Sequence, residues 1–165
     1  MVPDGERQHA EQGLREALDR LDSRINEPAL GDPLIPFAEA LNWLYSLEEW
    51  HKKNLKAVGV ADYYVRRDNN PDGKVAAGVI YARGLVAHQL AVVGKLVSVW
   101  PDTWPSAWPP EEWRWRPFLQ LPQPGVKEKW GRDRKYEDYV ENEPVLKIMR
   151  TAERFLTTTV KSYYP

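Results

Sequence analysis

The sequence predicts an all-α protein, a four-helix bundle with a Trp/Pro-rich, partly β or irregular insertion between its third and fourth helices. Three observations predict it. Apolar residues recur at three- and four-residue spacing over four long segments, and capping and turn residues punctuate them. Between the third and fourth segments, Trp100-Pro101, Trp104-Pro105 and Trp108-Pro109-Pro110 set proline so densely that helix is forbidden. At 165 residues the length suits one domain, 1–165, with the insertion at 100–135.

Helix one is expected near 6–25, where Leu14, Leu18, Leu21 and Ile25 form a stripe among charges. Asn26, Pro28, Gly31 and Pro33 interrupt it, and Asp32-Pro33 supplies a cap and a first-turn proline for helix two near 33–57. Its stripe runs through Leu34, Phe37, Leu41, Leu44 and Leu55, with Trp43 and Trp50 adding aromatic surface, and Gly59 ends it. Ala61 to Arg67 fits a further turn or two of helix, and Asp68 to Gly73 reads as a turn.

Helix three is expected near 74–99 with two apolar stripes, one through Val75, Val79, Ala82, Val86, Leu90, Val93 and Val97 and another through Tyr81, Leu85, Val92, Leu96 and Val99. Such a helix needs cover on two sides, from the insertion or from a second protomer. Bulky and polar residues alternate from Glu112 to Leu121, which predicts a short strand or hairpin. Helix four is expected near 137–162, broken at Pro144, with Val145, Ile148, Met149, Ala152, Leu156 and Val160 inward.

Composition narrows the function classes. There is no cysteine, so disulfides, thiolate catalysis and cysteine-built zinc sites are excluded and a reducing, cytoplasmic setting is expected. The first 24 residues carry no signal-peptide-like apolar block, and no membrane partner is expected. Lys and Arg total 23 against 24 Asp and Glu, a net charge of −1, so any RNA binding needs a local basic patch.

The candidate chemistry rests on Arg83 and His88. A guanidinium can hold phosphate oxygens bidentately, and an imidazole titrates near neutral pH, so the pair could act on a phosphodiester without a metal. Equally, Arg83 could pair with a carboxylate of a neighbouring helix and His88 could be hydrogen-bonded in the core.

Arg83-Gly84-Leu85-Val86-Ala87-His88, in the helix after Asn70-Pro71-Asp72-Gly73, resembles the motif of the HEPN superfamily of helical-bundle ribonucleases: Arg, four to six residues, then His. Gly84 stands where the commoner pattern has a polar residue. The resemblance implies a homodimer whose paired motifs line one cleft and cut RNA without metal or other cofactor, as a toxin or defence effector with a possible cognate antitoxin or partner protein. Under it, His88 is the acid or base at the ribose 2′-hydroxyl and Arg83 stabilises charge on phosphorus. Residues five apart on a helix point about 140° from each other, so a second protomer would bring the complementary motif close. The alternative is a non-catalytic HEPN-like module that binds RNA or protein, or a structural subunit.

Trp50, His51, Lys52, Lys53 and Lys56 mix base-stacking rings with phosphate-binding charge, as do Arg66-Arg67 and the stretch from Trp130 to Lys135. Trp50, His51, Lys52 and Lys53 are therefore candidate substrate contacts. Cationic last turns that complement helix dipoles explain them as well, with Glu49 and His51 on a solvated edge. Glu48-x-x-His51 has di-iron spacing but no second copy, and a His9, His51, His88 triad would need the polar first turn of helix one, so no metal is expected. The Trp-Pro segment suits either a cover for helix three or a nucleotide-stacking lid.

Overall fold

A computed structural model describes residues 4–86, 93–96, 112–121 and 131–165. Most of these residues are helical, in agreement with the all-α expectation. Helix α1, Asp4–Asn26, and helix α2, Leu34–Ala57, pack together, joined through a single 3₁₀ turn at Pro28–Leu30. The inner stripe of α1 is Ala10, Leu14, Ala17, Leu18 and Leu21, and α2 answers with Phe37, Ala40, Leu41, Leu44, Leu47 and Leu55. Each buried leucine contributes about 1.5–3 kcal/mol, so this stripe outweighs the weak propensities at the helix ends. Gly13 is needed for the approach, because a Cβ there would lie 2.5 Å from the Trp43 ring. Asp32 acts as expected: its carboxylate accepts the Leu34 N–H at 2.8 Å, and Pro33 leads into the helix.

A short helix α3, Tyr63–Asp68, follows Gly59, whose φ of +84° reverses the chain. The stretch Asp68 to Gly73 is a helix start as much as a turn. Helix α4, Pro71–Val86, begins with proline in its first turn, and the Asn70 side-chain oxygen accepts the Gly73 N–H at 3.1 Å. Helix therefore starts three residues before the expected Lys74.

The end of this helix departs further from expectation. Helix does not extend through 99: Val93–Leu96 is a strand, β1, paired antiparallel with β2, Glu112–Trp115, with Val93 opposite Trp115 and Leu96 opposite Glu112. The physical reason is local and tertiary together. Valine and leucine dominate this stretch with Gly94 among them, and β-branched residues take the pleated conformation once a partner strand supplies their backbone hydrogen bonds. The strand expected in Glu112 to Leu121 is present at Glu112–Trp115, followed by a 3₁₀ turn at Phe118–Gln120.

Both apolar stripes of α4 are covered by the chain itself as far as Leu85. Val79 and Ala82 are buried on one side, Tyr81 and Leu85 on the other, and α4 packs against α2, α5 (Arg132–Tyr139) and α6 (Val145–Thr157). Tyr81 lies 5.9 Å from the Tyr136 ring and 6.3 Å from Phe118. Of the two covers expected for the second stripe, the insertion supplies one at Tyr81 through Phe118, and α5 adds Tyr136. Helix returns at Arg132 rather than 137, after Gly131 in the left-handed region, and is interrupted between Tyr139 and Val145, with Pro144 at the cap position of α6. Trp115, fully buried, pins β2 to the bundle at 5.3 Å from Phe37 and 6.1 Å from Tyr136. The Trp-Pro repeats at 100–110 lie outside the described residues. No helix among the described residues is long and apolar enough to cross a membrane.

Candidate functional site

Helix α2 carries two stripes with opposite fates. Leu44, Leu47, Glu48, His51 and Leu55 point inward and are buried, whereas Asn42, Tyr45, Glu49, Lys52, Lys53 and Lys56, spaced three or four apart, share an outward face. Along that face lies a groove of about 880 Å³, lined by Tyr45, Glu49, Trp50, Lys53 and Lys56 on α2 and by Tyr64 on α3. Trp50, Lys52 and Lys53, three of the substrate contacts expected from sequence, line it together. Lys56, already grouped with them in the sequence, lines it too, and Tyr45 and Tyr64 extend the set; Tyr45 and Lys56, seven and four residues from Lys52, share its helix face, which was the available signal for Tyr45.

Arg83 sits in the last turn of α4 beside the end of this face. Its Nε donates to Asn42 Oδ1 at 3.2 Å, and its guanidinium carbon lies 4.4 Å from the centre of the Tyr45 ring, so a groove wall also carries the arginine. Among the described residues no carboxylate pairs with it, and its Nη groups have no hydrogen-bond partner there. Gly84 is exposed with open space around it. His88, the other expected catalytic residue, lies outside the described residues.

His51 is a correction. It is neither a solvated helix edge nor a substrate contact, because it is fully buried and both ring nitrogens are engaged. Nε2 is 2.8 Å from the Leu156 carbonyl, which can only accept, so Nε2 carries the proton and Nδ1 accepts the Tyr164 hydroxyl at 3.1 Å. Burial, only partly offset by the bond to Leu156, lowers the His51 pKa to about 4. In the unfolded chain an ordinary histidine titrates near 6.5, so from pH 6.5 down to about 4 the unfolded state binds a proton that the folded state refuses. Stability from this group is complete above pH 6.5, and about 3 kcal/mol is lost by pH 4. Urea unfolding at pH 7 and pH 4.5 should show this loss, and His51→Phe should abolish most of it. Equal pH dependence in the variant would remove His51 as the cause.

Arg67 also turns away from the surface role its neighbour Arg66 keeps. It is fully buried, with Nη1 donating to Glu48 at 2.7 Å, Nε to Asp68 at 2.9 Å, and its guanidinium 4.9 Å from the Tyr64 ring centre. Burial opposes its charge, but Glu48 and Asp68 outweigh that and hold its pKa above the usual arginine value. Asp68 in turn, despite partial burial, is held below the usual carboxylate range by Arg67 and by Lys135 at 2.8 Å. Tyr63 is raised well above the ordinary phenol value by burial and by Glu48. The close seat of Gly73 completes this cluster, since a Cβ there would lie 2.1 Å from the Arg67 carbonyl oxygen.

At Lys52, burial works against the charge, and the pair with Glu49 at 2.5 and 2.6 Å outweighs it and raises the pKa. Lys53 and Lys56 are exposed and have no ion-pair partner among the described residues. Glu48 and His51 serve different partners and do not converge on a metal position. Among the described residues no three His, Cys, Asp or Glu side chains form a group that could hold a metal ion. His9 stands apart, edge-on to Trp43 at 5.4 Å.

No family model, curated protein or solved structure matches this chain.

Proposed function

We propose that this chain is a metal-independent endoribonuclease of HEPN type, with Arg83 as phosphate clamp and His88 as acid or base. One observation carries the reading: a guanidinium without a carboxylate partner among the described residues stands on Tyr45, a wall of the groove that also bears Lys53 and Lys56. The packing of α1 on α2 and α6, and of α4 on α2 and α6, supports the helical-bundle fold that the resemblance implies. Pairing of two protomers near the end of α4 would bring a second Arg83 and His88 to one cleft. A toxin or defence role, with a cognate antitoxin, follows from the resemblance alone.

His88 would take the proton from a ribose 2′-hydroxyl as its oxygen attacks phosphorus and the P–O5′ bond breaks. The proton needed by the leaving 5′ oxygen would come from an imidazolium, in the same or the paired motif. Arg83 would meet the growing charge on the phosphoryl oxygens. The test is a labelled single-stranded RNA and its DNA counterpart incubated with the protein in EDTA. The RNA is expected to yield 2′,3′-cyclic phosphate and 5′-hydroxyl ends while the DNA, lacking the nucleophile, stays intact. Cutting of both strands, or of neither, would overturn the reading. The groove itself needs no His88, which favours an RNA-binding module as the second reading if RNA is bound but not cut.

A further inference from the structure

We propose that the groove between α2 and α3 is a binding site for a nucleoside phosphate, taking the base against its aromatic walls and the phosphate on Lys53 and Lys56. This deepens the RNA reading by naming the ligand unit, but binding at the groove requires no cleavage.

The charge balance selects an anion. Lys52 is consumed by Glu49, which leaves Lys53 and Lys56, three apart on the last turns of α2, as exposed cations with no ion-pair partner among the described residues. Glu6 adds one carboxylate to the lining and does not cancel them.

The rings select a flat heterocycle. Tyr45, Trp50 and Tyr64 line the groove, and each has a guanidinium on it: Arg83 at 4.4 Å from Tyr45, Arg7 at 5.6 Å from Trp50 and Arg67 at 4.9 Å from Tyr64. A cation on one face of a ring fixes its orientation and draws electron density away from the opposite face. A ring polarised in this way pairs well with an electron-rich base, since aromatic pairing follows complementary charge distribution. Tyr64 is the best held of the three, because its guanidinium is buried and ion-paired with Glu48 and Asp68, and Lys52 Nζ also lies 6.0 Å from the ring centre.

Size agrees. About 880 Å³ falls within the range of small-molecule sites, roughly 300–1,000 Å³, and leaves space for a nucleotide and its neighbour. Bases in a duplex face one another and cannot lie on these walls, so the nucleotide is either free or part of an unpaired strand.

Calorimetric titration of the full chain at low salt with AMP, with the RNA trinucleotide AAA and with ribose 5-phosphate tests the proposal. Binding of AMP and AAA together supports a site open to free nucleotide and strand alike. Binding of AMP alone assigns the free ligand, and binding of AAA alone assigns the strand. Tyr64→Leu is expected to weaken whichever ligand binds by roughly 5- to 150-fold. The double variant Lys53→Ala/Lys56→Ala is expected to weaken it and flatten its salt dependence. Both lysines are exposed, so that variant decides the matter should Tyr64→Leu fail to fold. The proposal is overturned if neither AMP nor AAA binds, if ribose 5-phosphate binds as tightly as they do, or if the lysine variant binds unchanged. Nucleotide binding without RNA cleavage keeps the site and removes only the nuclease reading.

Discussion

Arg67→Met is expected to destabilise the fold by about 3–5 kcal/mol, a large part of the total of about 5–15 kcal/mol that a domain possesses. The cause is the carboxylate left behind. Glu48 is 1 % exposed, and without the guanidinium its remaining hydrogen-bond donor among the described residues is the Tyr63 hydroxyl at 3.5 Å. Asp68 loses one of its two cations at the same time, keeping Lys135. Urea denaturation should show a lower midpoint with an unchanged slope. The double variant Arg67→Met/Glu48→Leu should recover much of the loss, because two apolar groups of similar volume need no charge compensation. A single variant within about 1 kcal/mol of wild type would show that the pair is not a structural element of this fold.

The same cluster bears on the groove. Arg67 connects α3 to α2 through Glu48 and sits under Tyr64, so the wall proposed to stack a base is fixed from inside the core. Its Nη2 is buried without a hydrogen-bond partner among the described residues, and the ring of Tyr64 supplies a compensating electrostatic contact.

Local patterns made much of this fold legible. The leucine stripes of α1 and α2, the cap at Asp32, the short helix α3, the strand at Glu112–Trp115 and the break at Pro144 each follow from a few neighbouring residues. The end of α4 was not legible for a specific reason. A run of valines and leucines suits a buried helix or a strand equally, and what decides is a partner, Glu112–Trp115, sixteen or more residues later in the chain.

His51 and Arg67 were misplaced in a different way. Both look like surface charge beside lysines and arginines, yet each falls on its helix's inner stripe: His51 with Leu44, Leu47 and Leu55, and Arg67 one turn from buried Tyr63. The stripe was visible in the sequence, whereas the acceptors that make burial tolerable, the Leu156 carbonyl and Glu48, come from tertiary packing. Lys53 and Trp50 were grouped in the sequence by basic and aromatic composition, and both line the groove.

The most direct measurement is the rate of RNA cleavage in EDTA by Arg83→Ala, Arg83→Lys and His88→Ala beside the wild type. Removal of the imidazole should slow cleavage about 10²- to 10⁴-fold, the usual contribution of a positioned acid or base. Loss of the guanidinium should slow it comparably, and lysine should restore little, because a point charge cannot reproduce the two-pronged hold on phosphate. Arg83 is half-buried and bonded only to Asn42 and Tyr45 among the described residues, so its removal should leave the melting temperature nearly unchanged. Cleavage at the wild-type rate by either alanine variant would contradict the account.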